Sequence, residues 1–223
     1  MLGLIKLIPS GFRDRHRAKW HRLQLETQAL WGKLTRQFVR PALPQISATN
    51  LHLGCGAVNH PEFINIDGLG YKHIHYVRAI DNLAPFGDRT VALIYASHCL
   101  EHFSHVRVNQ VLQEWHRAIE PGGILRLSVP DFELLLDIYR DNDNNLAAIQ
   151  QPLMGGQDYK YNFHHVAFNR RNLTAMLKQA GFQTVRGWQP GTSSLTTFDD
   201  WSTKKMEYNG KQYSISLNLE AIK

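Results

Sequence analysis

From residue 50 onward the apolar positions switch repeatedly between short runs and a helical period. "NLHLG" at 50–54, "EFINID" at 62–67, "IHYV" at 74–77 and "VALIYAS" at 91–97 read as strands. "VRVNQVLQEWHRAIE" then spaces Val108, Val111, Leu112, Trp115 and Ile119 as one helix face, and "PGG" stops it. "ILRLSVP" is a fifth strand and "FELLLDIYR" a helix. "RRNLTAMLKQAGF" is a late helix ended by Gly181, and "QTVRGW" and "YSISLNLEAIK" are two closing strands. Strands that alternate with helices predict an α/β domain with a mostly parallel sheet and helices on both faces. The segment "DNDNN" at 141–145 is a loop, and no internal repeat appears.

Length adds one bound: 223 residues with 43% apolar content make one sizeable core. Charge changes the picture more. Residues 1–40 hold nine Lys and Arg against Asp14 and Glu26, a balance of +7, while the whole chain carries +6. The basicity therefore belongs to an N-terminal arm, and the rest is close to neutral. Pro41 and Pro44 mark the join, which divides the chain into an arm at 1–45 and a domain at 46–223. "MLGLIKLIPSGFRDRHRAKWHRL" joins an apolar head to a basic stretch containing Phe12 and Trp20, a composition suited to an anionic membrane surface. The same stretch equally suits a solvated helix packed on its own domain or on a second subunit of a homo-oligomer. A near-neutral domain has no second patch to track phosphates, which argues against nucleic acid. Cys55 and Cys99 cannot make a disulfide framework, and no signal peptide is visible, so the reading favours a reducing, cytoplasmic setting.

In a parallel sheet, ligands gather outside the carboxyl ends of the strands. That is where "LHLGCG" places Leu53, Gly54, Cys55 and Gly56. Two glycines after an apolar run can be a plain turn, a phosphate cradle or the turn for another adenosine-containing cofactor. Asp67 ends the second strand, where a carboxylate accepts both hydroxyls of a ribose. A dinucleotide fingerprint asks for a third glycine where Asn59 stands, and for roughly 20 residues to the acid. Here the acid follows Gly54 by 13 residues with Pro61 between them, too little for a full crossover helix.

"LHLGCG", "INID", "ASHCLEHF", "EWHRAIEPGGILRLSVPD" and "LKQAGF", in this order, resemble a class I S-adenosylmethionine-dependent methyltransferase over residues 50–223. The resemblance is nearest to small bacterial methyltransferase-like proteins of surface-polysaccharide gene sets. It implies a Rossmann-like seven-stranded sheet with its last strand antiparallel, and S-adenosyl-L-methionine as cofactor. Gly54 and Gly56 would line its methionine part and Asp67 its ribose. Asp81 or its neighbours, Asn82 among them, would lie beside the adenine, and Ser97 with His98 near the transferred methyl. The acceptor it implies is a small molecule or glycan hydroxyl. Two positions depart from the family pattern. His52 stands where an acid commonly helps hold the amino group of methionine, and Ala92 stands where Asp is common.

Methyl transfer needs alignment more than a constellation of catalytic groups. For a hydroxyl acceptor a general base is useful, and histidine has a suitable pKa. His98, His102, His164 and His165 are the candidates, with Glu101 and Asp131 behind them. Each has a plainer role available, in that Glu101 and His102 can cap a helix near 105 and Asp131 the helix it precedes. Trp201 and Tyr208 in the 189–212 segment are faces on which a sugar could stack, or anchors of that loop to the core. "HCLEH" also spells H-x-x-E-H, the inverted zinc-protease pattern, which needs both histidines on one helix. Because the pentapeptide follows "VALIYAS", His98 is expected at a strand end instead, and no metal ligand set is assigned. A third reading keeps the fold without catalysis and uses the arm to dock on a partner.

Overall fold

A computed structural model describes residues 40–223 apart from 197, and ten positions between 20 and 35. The apolar head and most basic residues of the arm lie outside the described residues. The ten positions are helical. Trp20, Leu23, Leu30, Trp31 and Leu34 are exposed, while Gly32 meets the domain. A Cβ on Gly32 would fall 2.2 Å from Gly70 Cα, so the two backbones touch.

The strands are β1 (Asn50–Leu53), β2 (Ile64–Asp67), β3 (Tyr76–Val77), β4 (Val91–Ser97), β5 (Ile119–Pro130), β6 (Thr184–Gly187) and β9 (Ser216–Ile222), in the spatial order β3-β2-β1-β4-β5-β9-β6. β9 runs antiparallel to both neighbours, and the other pairings are parallel. This is the seven-stranded arrangement expected from the sequence. A separate hairpin, β7 (Lys205–Tyr208) with β8 (Lys211–Ser214), precedes β9. The sequence reading left most of it as loop. Its signal is Asn209-Gly210, both at positive φ as a two-residue primed turn requires.

Among the described residues from 40 onward, four α-helices accompany the sheet: α1 (Val108–Ala118), α2 (Phe132–Asp141), α3 (Gln150–Met154) and α4 (Arg170–Gln179). α1 ends before "PGG", because Ile119 turns to extended geometry and pairs with Val91. Between β1 and β2 there are only turns, as the short spacing and Pro61 require. Strand alternation sorts the core. Leu51, Leu53, Ile64, Ile66, Ile94 and Ala96 face one way and pack with Val111, Trp115, Leu173 and Leu177 of α1 and α4. His52 and Tyr95, paired across β1 and β4, face the other way into an aromatic cluster with Phe63 and Phe198. Among the described residues no helix is long and apolar enough to cross a membrane.

Candidate active site

β1 ends at Leu53 and the chain turns through Gly54 and Gly56, both in the left-handed region at φ 61° and 54°. Gly54 has a second reason to be glycine. A Cβ there would fall 2.4 Å from Cys99 Sγ, whose thiol donates to the Leu53 carbonyl at 3.3 Å. Asp67, at the end of β2, is buried. Its Oδ2 accepts the Gly56 N–H at 2.8 Å and its Oδ1 the Leu69 N–H at 2.7 Å, so one carboxylate ties the two strand ends together. Burial pushes its pKa up, and these backbone donors only partly offset that. With about four acceptor positions, the ionised carboxylate keeps lone pairs for hydroxyl donors. Cys55 is buried in the same turn, and burial also pushes its thiol up.

A cavity of about 200 Å³ opens here, lined by Gly54, Asp67, Leu69, Ile80 and Phe103 among others. Its far wall is held by α1, since Trp115 donates its indole N–H to the Ile80 carbonyl at 2.8 Å. Asp81 and Asn82 line a neighbouring recess instead. Arg107 pairs with Asp81, and the Asn82 Oδ1 accepts from Arg78 at 2.9 Å. The cavity wall at that end is Arg78, Ala79 and Ile80, residues just before Asp81 that no distinctive residue type marks in the sequence.

A second cavity of about 300 Å³ is lined by His98, His102, Asn162, His164 and Trp201 among others. His98, His102 and Tyr159 line both cavities. Ser97 ends β4 paired with Ser128 and lines neither. Of the other candidates, Asp131 caps α2 by accepting the Glu133 N–H, His165 is exposed, and Tyr208 packs on the small core of Leu135, Ile138 and Ile215.

His98 follows the end of β4 with φ 51°, a strained conformation for a side-chain-bearing residue that is fixed by its N–H donating to the Ser128 carbonyl at 2.8 Å. His102 closes the 3-10 turn Leu100–His102, so the two histidines of "HCLEH" are not on one helix. They nonetheless converge. Glu101 is fully buried between them, with His98 Nδ1 at 3.4 Å and His164 Nε2 at 3.9 Å from its Oε1. Neither Glu101 carboxylate oxygen makes a hydrogen bond. Burial raises the Glu101 pKa, but the three surrounding imidazoles outweigh it and hold the group below its ordinary value. Burial lowers the pKa of His164, against an opposing pull from Glu101.

His52, the departure from the family pattern, is 2% exposed and stacks on Phe198 with ring centroids 5.0 Å apart. Burial first, then the charges of His73 and His60, lower its pKa to about 3. It serves the aromatic face of the sheet and lines neither cavity.

A family model described as a methyltransferase domain matches residues 40–186. The chain belongs to this family. The methyltransferase uses S-adenosylmethionine, and the buried carboxylate beside an open, glycine-lined turn fits that group: a Cβ on Gly56 would meet nothing within 4 Å. A solved structure shares the fold. A SAM-dependent methyltransferase from Thermotoga maritima, described as a possible histamine N-methyltransferase, is 14% identical over 95% of this chain and 97% of its own, with a TM-score of 0.50. Another, from Archaeoglobus fulgidus, is 15% identical over 88% and 94%, with a TM-score of 0.48. No curated protein matches the methyltransferase in sequence.

Proposed function

We propose that the protein transfers a methyl group from S-adenosylmethionine to a hydroxyl of a glycan or glycolipid precursor where the two cavities meet. The observation that carries this reading is the shared wall of His98, His102 and Tyr159. Gly54 and Asp67 hold the methionine and ribose parts of the cofactor, and the Ala79–Ile80 wall takes the base. When bound, the cofactor supplies an electrophilic methyl group on a sulfonium sulfur. Positioning across the shared wall contributes most of the acceleration, since alignment alone is worth roughly 7 to 11 kcal/mol.

His98 is the proposed base. Ser216 Oγ donates its proton to the Trp201 carbonyl at 2.6 Å, so it accepts at 2.8 Å from His98 Nε2, which therefore carries a hydrogen. The lone pair of His98 is then on Nδ1, beside Glu101. A proton taken from the acceptor hydroxyl lands where a buried carboxylate stabilises the imidazolium. The faces of Trp201 and Tyr159, with the amides of Gln151 and Asn162, support a hydroxyl-rich ring as the acceptor. His98→Gln is expected to lower methyl transfer about a hundredfold while a cofactor titration stays within about twofold. If affinity and melting temperature fall together, His98 is structural and this role is lost.

We also infer that residues 1–45 act as a basic arm on the 46–223 domain and lie on anionic lipid. The exposed Trp20, Leu23, Leu30, Trp31 and Leu34 support this, since they recur at helical spacing in a segment of high positive charge. The full-length protein should sediment with anionic vesicles at low salt, and Trp31→Glu with Leu34→Glu should abolish it. A full-length protein that ignores such vesicles removes the membrane reading.

A further inference from the structure

We propose that Glu101, His102 and His164 bind a divalent first-row cation, of the zinc or manganese type, at the junction of the two cavities. The inference rests on the methyltransferase reading above and deepens it. The ligand atoms of these three residues all lie within 4.8 Å of one another. Two atoms each about 2.1 Å from one ion stand at most about 4.2 Å apart. That limit is for ligands directly opposite each other; at tetrahedral angles the separation is about 3.4 Å, so the widest pair closes by at most about 1.4 Å.

Hydrogen bonding outside the cluster makes the same point independently. His102 Nδ1 meets the Phe163 carbonyl at 3.1 Å, and His164 Nδ1 meets the Pro152 carbonyl at 3.0 Å. A carbonyl only accepts, so both Nδ1 atoms carry hydrogens, and in the neutral imidazoles both Nε2 atoms keep lone pairs. The His164 Nε2 lone pair looks toward Oε1 of Glu101 across 3.9 Å. The His98 Nδ1 lone pair faces the same oxygen at 3.4 Å, and lone pairs facing a carboxylate are acceptor against acceptor, favourable only with a proton or a cation between them. The Glu101 carboxylate is otherwise in deficit: it is fully buried, and both oxygens lack hydrogen-bond donors. Such an ionised group is costly unless it is paired or coordinates a metal. Histidine ligands that donate their outer N–H to backbone carbonyls are the usual supporting arrangement around metal ions.

Two imidazoles and one carboxylate leave coordination positions open, and suit zinc, iron or manganese better than magnesium or calcium. His102 and His164 both line the acceptor cavity, so the open positions face it. A cation there receives the acceptor oxygen and lowers the pKa of its hydroxyl. The hydroxyl proton passes to His98 Nδ1, the new bond forms between that oxygen and the methyl carbon, and the carbon–sulfur bond breaks to leave a neutral thioether. The H-x-x-E-H stretch thus contributes two ligands, Glu101 and His102, and Glu101 coordinates the ion where a hydrolase would use it as general base.

The test uses full-length protein stripped with chelator and titrated separately with zinc and manganese chloride, with elemental analysis of the reloaded protein and a parallel S-adenosylmethionine titration. Expected are one ion per chain for at least one metal, a raised melting temperature, and at least tenfold weaker metal binding in Glu101→Gln, with cofactor affinity unchanged. Should Glu101→Gln fail to fold, His102→Gln, nearer the surface, is expected to show the same weakening. If the cofactor binds but neither metal does so at one per chain, the cation site is overturned and the methyltransferase reading stands. Metal binding that survives both variants overturns it too, because the ion then sits elsewhere. Failure of the cofactor titration alone is a failure of the functional reading, and it is visible separately from the metal result.

Discussion

The proposed cofactor side of the site is built on backbone, and the proposed acceptor side on side chains. Around Gly54 and Asp67 the working parts are a left-handed turn, two N–H groups and one carboxylate that holds both. Around Glu101 they are imidazoles delivered by a strand end, a 3-10 turn and the loop after α3. A backbone-built half tolerates few changes of shape, and a side-chain-built half admits new chemistry at constant fold. On the proposed reading, the difference would let one sheet keep its cofactor while its acceptor varies.

Gly54→Ala should have the largest effect on the backbone-built half. Left-handed geometry costs a side chain about 1–2 kcal/mol and overpacking against Cys99 about 1–3 more. A loss of about 3 kcal/mol in a denaturant titration, with cofactor binding abolished, is expected. Full stability would mean that the turn is not shape-limited. His52 belongs to neither half, and its effect depends on pH. Between pH 6.5 and about 3 the unfolded chain binds a proton that the buried imidazole refuses. Stability should therefore fall as pH drops through that window, by about 1.4 kcal/mol per pH unit. His52→Phe should flatten this slope by about 2 kcal/mol at pH 5, as read from melts at pH 7 and 5; an unchanged slope would place the proton-linked group elsewhere. Asp67→Ala, which removes charged-acceptor bonds worth about 1.5–3 kcal/mol each, should weaken cofactor binding at least tenfold. Asp81→Ala provides the smallest expected effect, within about twofold, because Asp81 faces Arg107 and a separate recess. Equal losses from these two variants would erase the distinction between the cavity wall and its surroundings.

What the sequence makes legible follows the same division. Gly54, Gly56 and Asp67 are readable because a strand end, a tight turn and a second strand end lie within one short stretch. His98 and Glu101 are readable as a pentapeptide, and the strand before them already separates His98 from the following helix. Nothing local announces that Phe163 receives the His102 N–H from 61 residues away, or that His164 then faces Glu101. That juxtaposition depends on the loop after α3 meeting the 3-10 turn Leu100–His102, where the His165 N–H donates to the Glu101 carbonyl at 2.8 Å. His52 was readable as a departure, but only the alternation of β1 shows that its ring turns to the aromatic face. Asp81 is the opposite case. Its charge draws attention in the sequence, while the cavity wall is made by its apolar neighbours.

Cys55 and Cys99 are the only two cysteines in the chain, and both are buried at the Gly54 turn. Burial pushes both thiols up, so neither reacts readily in the closed molecule. Thiol modification therefore works as a clock for this one place. A reagent can reach either sulfur only when the turn opens, and the labelling rate counts those openings without interference from any other site. Ligand bound to the closed turn slows that clock in proportion to its occupancy, which turns a pair of silent core residues into a direct gauge of how often the site breathes.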